Sequence, residues 1–95
     1  MLDISKAAVN KVKEELREMD VDTENPLIRV YVAIGWGGPR IELALEESTN
    51  PRDTVVEVDG VTFLVDENQM AYFRNKQLDY TKNLFGLGEF YLTRL

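Results

Sequence analysis

Asp53-Thr54-Val55-Val56-Glu57-Val58-Asp59-Gly60-Val61-Thr62-Phe63-Leu64-Val65-Asp66 is a pair of β-rich runs divided by one dipeptide. A two-residue type I′ turn needs positive φ at both central positions, which Asp-Gly tolerates best. The stretch therefore predicts an antiparallel hairpin with strands over 54–58 and 61–65. Everything else in the chain is arranged around a sheet.

Upstream of the hairpin the period is also two. Ile28, Val30 and Val32 face one way and Arg29 and Tyr31 the other. After a glycine-rich segment, Ile41, Leu43 and Leu45 alternate with Glu42, Ala44 and Glu46. Residues 47–53, with Asn50-Pro51, read as a polar turn. Before these strands the period is helical. Ala8, Val9, Val12, Leu16 and Met19 recur at spacings of three and four, and Ser5 is placed to cap the helix over 5–19. Its other face carries Lys11, Glu14, Glu15 and Arg17, spaced for opposite-charge pairs. Asp20 to Pro26 is an acidic connection. Downstream, Asp66 with Gln69 three residues on suggests a capping box for a short helix through Met70 and Phe73 to Arg74. Strands follow over 77–81 and 89–93, with a turn at Gly86 and Gly88. The pattern is α+β and mostly β, in one domain over 1–95.

Composition narrows the function. The net charge of −6 arises from seventeen acidic and eleven basic residues, and the bases are dispersed, so no clustered cationic face is offered to a nucleic acid. No apolar run approaches the roughly 20 residues that span a bilayer, and no signal-peptide pattern opens the chain, so no membrane association and a cytoplasmic location are expected. There is no cysteine and no histidine. Thiolate and imidazole are the ligands that soft and borderline metals require, so no metal site is expected and no iron–sulfur or zinc cofactor has an evident anchor. Without histidine a Ser-His-Asp triad is excluded. The carboxylate pairs Glu14-Glu15, Glu46-Glu47 and Asp66-Glu67 fall at element ends or on a polar face, where solvation is the norm. No catalytic residue and no enzymatic activity are expected.

Taken together, the helix from Ser5 to Leu16, Ile28-Arg29-Val30-Tyr31-Val32, the glycine-rich loop and Ile41-Glu42-Leu43-Ala44-Leu45-Glu46 come in a familiar order. They are followed by the hairpin above, by Leu78-Asp79-Tyr80 and by Gly88-Glu89-Phe90. Over essentially its whole length the chain resembles the HesB-like family, the A-type proteins of iron–sulfur cluster biogenesis. The resemblance implies a mostly antiparallel β-sandwich or pseudo-barrel with an N-terminal helix and one short helix. It also implies a homodimer or other homo-oligomer, iron–sulfur assembly proteins as partners, and an iron–sulfur cluster as the group its members carry. Family members place one cysteine in the first loop, in a Gly-Cys-Ser-Gly pattern, and a Cys-Gly-Cys near the C-terminus. Here Trp36 occupies the first position, and the sequence stops at Leu95 before the second segment.

Gly35, Trp36, Gly37, Gly38, Pro39 and Arg40 are therefore the candidate site, with Tyr31 as the most exposed aromatic residue of the strand before them. The glycines suit a tight connection between strands, and equally a nest of backbone N–H groups for an anion. Trp36 has three readings: a filler in the core or a dimer contact, an exposed anchor for a partner, or a residue standing where some HesB-like proteins carry selenocysteine. Arg40 is expected to pair with Glu42 in solvent or to meet an anion. The other tyrosines and phenylalanines are expected in the core. The leading expectation is a cysteine-free HesB-like protein that does not ligate a cluster. The alternatives are an interaction module that uses the 35–40 loop and a selenocysteine-type redox protein.

Overall fold

The computed structural model describes residues 2–95, and it contains the predicted hairpin almost residue for residue. Strands β4 (Asp53–Val58) and β5 (Val61–Asp66) pair antiparallel, with Val58 opposite Val61. Asp59 and Gly60 both have positive φ, 50 and 83°, as a type I′ turn demands. The remaining elements are β1 (Leu2–Ile4), α1 (Lys6–Glu18), β2 (Leu27–Gly35), β3 (Gly38–Glu46), a 3₁₀ turn at Glu67–Gln69, α2 (Met70–Phe73), β6 (Lys76–Lys82) and β7 (Gly88–Arg94).

Two mixed sheets result, with strand orders β1-β6-β7 and β3-β2-β5-β4, and neither closes into a barrel. Three pairings are antiparallel. The parallel ones, β1 with β6 and β2 with β5, join segments far apart in sequence. Strand β5 is buried along five of its six residues because it has neighbours on both edges and α1 on one face. Its Val61, Phe63 and Val65 meet Val9, Val12 and Leu16 of the helix, Leu2 and Ile4 of β1, and Phe73 of α2 in one core. Burying each such side chain contributes about 1.5–3 kcal/mol.

Helix α1 has well-formed ends. Ser5 accepts from the Ala8 N–H at 3.1 Å. At the other end the Val21 N–H bonds the Leu16 carbonyl and the Asp20 N–H bonds the Arg17 carbonyl, a Schellman motif with Asp20 in the left-handed position at φ 57°. The capping box expected at Asp66 does not form. Asp66 accepts instead from the Asn68 N–H at 2.8 Å and closes the 3₁₀ turn. The Gln69 side chain turns away from it, accepting from the Val32 N–H at 2.7 Å and donating to the Val32 carbonyl. Strand β5 has run out beside β2 at that point, so Gln69 satisfies backbone groups that have no strand neighbour.

The β1-β6-β7 sheet is tied to the start of α1 at Asp79, the middle residue of the Leu78-Asp79-Tyr80 signature. Its carboxylate accepts from the Ser5 hydroxyl at 2.7 Å, the Tyr80 N–H at 2.8 Å and the Tyr91 hydroxyl at 3.1 Å. Those bonds, chiefly the one from Ser5, hold the Asp79 carboxyl below the usual carboxylate range. One residue on, the Tyr80 ring packs against Phe90 at 5.0 Å and lies so close over Gly88 that a Cβ there would overlap its hydroxyl. Ser5→Ala removes both the helix cap and one donor to Asp79, so an expected loss of about 1–2 kcal/mol follows in urea unfolding at pH 7. A depressed folded-state pKa stabilises above the unfolded value and loses its effect as pH falls through the folded one. The penalty should therefore shrink toward the cap's own share when the comparison is repeated in acid.

Candidate functional site

The glycine-rich segment is shorter as a loop than its sequence suggests. β2 continues through Gly35 and β3 begins at Gly38, and those two glycines face each other across the hairpin. Trp36 and Gly37 alone form the turn, and Gly38, the strand residue that follows it, lies in the left-handed region at φ 90°. A side chain there would be strained, which is the local reason for glycine. Ile34 is opposite Pro39 and Ala33 opposite Arg40, so the segment read as an irregular connection is mostly paired strand.

At the tip, Trp36 is fully exposed (107%) and Ile34 nearly so (80%). The reading of Trp36 as a core filler is thereby corrected: the turn projects past the end of the sheet, and no packed layer lies beneath it. Gly37, Pro39 and Arg40 are exposed too, whereas Tyr31 is half-buried. The exposed aromatic residues are instead Trp36, Tyr72 and Phe85, and Phe85 lies outside the core where the sequence had placed it. Its turn, Leu84-Phe85-Gly86-Leu87, is a second apolar hairpin tip that periodicity had passed over. Arg40 does pair with Glu42, at 2.6 Å, in solvent, where such a pair contributes little.

Charge is organised one layer further in. Arg29, on the polar face of β2, donates to both oxygens of Asp53 at 2.8 and 2.9 Å and through Nε to Glu46 at 2.6 Å. The Asp53 side chain is fully covered and Arg29 is 14% exposed. The Arg29 hydrogen bonds, helped by the Asn50 N–H, hold the Asp53 carboxyl below its ordinary range. This clamp joins β2, β3 and β4 on the polar face of the sheet, at the end of the β2–β3 hairpin away from Trp36. Alternation showed Arg29 facing away from the core, and nothing in the spacing disclosed its partners.

The chain matches the family described as iron–sulphur cluster biosynthesis over residues 1–89. It is 35% identical over 88 residues to the iron–sulfur cluster insertion protein ErpA of Aeromonas salmonicida, covering 90% of this chain and 72% of that protein. It superposes on the crystal structure of IscA with the [2Fe–2S] cluster at a TM-score of 0.74 and 25% identity, over 99% of this chain and 85% of the other. A protein from Aquifex aeolicus solved in solution gives 0.78 and 27%, over 99% and 91%.

Iron–sulfur clusters are generally held by cysteine thiolates, with histidine replacing some of them in certain centres. This chain offers none and has no imidazole, and among the described residues no three acidic side chains gather at a point that could hold a metal ion. Where the resemblance puts the first cysteine stands an indole directed into solvent. The donor set does not fit a cluster. What the hairpin can do is present a large apolar ring on a stiff stem.

Proposed function

Because this chain belongs to the iron–sulphur cluster biosynthesis family, we propose that it serves that process by binding a partner and does not itself hold the cluster. The observation that carries this reading is the Trp36 turn. A family scaffold with the fold of an IscA structure carries, at the expected ligand position, a fully exposed tryptophan beside an exposed isoleucine. Trp is enriched at the centres of protein contacts because its rigid ring covers much area at small entropic cost. The contact is made to a second copy or to another protein of cluster assembly in the cytoplasm. Strand pairing through Gly35 and Gly38, with Gln69 bonded to Val32, gives the turn a regular stem, which reduces the ordering needed on binding.

Anaerobic reconstitution with iron and sulfide is expected to leave the protein colourless. A stable chromophore at one cluster per protomer or per dimer overturns the reading. Trp36→Ala should change stability by no more than about 0.5 kcal/mol, as for a surface site, while weakening association with the partner measured by sedimentation or calorimetry. Unchanged association also overturns it.

A further inference from the structure

We propose that the cleft between β3 and β7 is a docking groove for an extended acidic peptide of a partner protein. β3 and β7 are outer strands of their respective sheets, they pack side by side, and among the described residues no backbone hydrogen bond joins them. Between them lies an open cleft of about 360 Å³. Its floor is Val32, Ile41, Phe90 and Leu92, all only half-buried although they pack on the core. An open cleft with an apolar floor between two outer strands suits an extended segment of a partner.

Charge selects the occupant. The chain carries −6 overall, yet this cleft is lined by Arg40 and Lys76 against one carboxylate, Glu89. Arg94 is the cross-strand neighbour of Lys76, and no carboxylate pairs with either of them among the described residues. Arg40 does hold Glu42, but in solvent, where the pair is readily exchanged. A cleft lined by two cations and one carboxylate, in a protein that is acidic overall, favours a ligand that brings carboxylates. The apolar floor favours one that alternates them with aliphatic side chains, since successive residues of a strand face opposite ways. This inference goes beyond the reading of the Trp36 turn and holds whether or not the protein handles iron.

The test is an NMR titration of the ¹⁵N-labelled protein with an acetylated, amidated (Val-Glu)₃ hexapeptide, with (Val-Lys)₃ as the charge-reversed probe. The expected result is a set of amide shifts centred on residues 40–41 and 89–92. They should saturate below about 2 mM peptide and weaken as salt is raised. A double variant, Arg40→Glu with Lys76→Glu, should bind about tenfold or more weakly while its amide spectrum away from the cleft stays that of the parent. Absence of shifts to about 2 mM overturns the proposal, as does equal response to (Val-Lys)₃ or a response confined to the Trp36 turn. Shifts at the same residues on raising protein concentration alone would make a second copy the occupant, and would overturn it as well.

Discussion

Arg29→Ala is expected to lower the melting temperature by about 12–24 °C. The substitution strips a covered carboxylate of its cation, which costs about 3 kcal/mol or more, and each kcal/mol shifts the melting point of a domain this size by roughly 4–8 °C. After the truncation Asp53 keeps only the Asn50 N–H at 2.8 Å on one oxygen and has no cation in place of Arg29. The pH dependence identifies the cause. In the parent the depressed Asp53 pKa stabilises the fold above the unfolded value, about 3.9, and that contribution fades as pH falls through the lower folded value. In the variant the carboxylate is a liability that protonation removes. Parent and variant should therefore converge in acid when followed by circular dichroism. Arg29→Met combined with Asp53→Asn removes both charges and should regain most of the loss. A melting point unchanged in Arg29→Ala would show the clamp to be ornamental.

Phe63→Ala is expected to cost about 3–5 kcal/mol, the range for removing a buried phenylalanine with partial collapse of the cavity. Phe63 is wholly buried on β5 and lies opposite Ile28 of β2 and Val56 of β4, so the loss falls on three strands together. A domain of this length has a total stability on the order of 5–14 kcal/mol. The variant should unfold at a urea midpoint more than about 1 M lower than the parent. Val55→Ala, on the neighbouring strand but 54% exposed, should stay within about 0.5 kcal/mol. A small effect at Phe63 would mean that the two sheets do not share one core.

Features written in short-range order were legible from sequence. Ser5 and the 3,4-spaced apolar residues placed the helix to within a residue at each end, and Asp59-Gly60 placed the central hairpin. Strands β2, β3, β6 and β7 were recognised to within a few residues. Lost were the features that depend on what stands beside a residue in space. Leu2–Ile4 is too short to show a period, and becomes a strand only because β6 lies next to it. Gln69 has the spacing of a capping box, but the open edge of β2 at Val32 competes for its amide and wins. The glycines at 35, 37 and 38 signalled a bend, yet Gly35 and Gly38 are paired strand residues, because glycine reports permission to turn and not the turn's length. At the candidate site the position of Trp36 was readable. Its exposure was not, since an apolar ring is equally at home inside a fold until the neighbouring layer is known.

The parallel joining of Leu2–Ile4 to Lys76–Leu78, fastened by Ser5 and Asp79, bears on how the molecule is made. An emerging nascent chain synthesises its first strand long before the seat for that strand exists. Closure of so long a loop carries an entropic cost that must be met before any contact rewards it, and topologies rich in such distant pairings fold slowly. Leu2–Ile4 thus cannot dock before Lys76–Leu78 has been made. Until residue 79 has left the ribosome, the helix they lead into has neither its capping serine anchored nor a finished sheet beneath it.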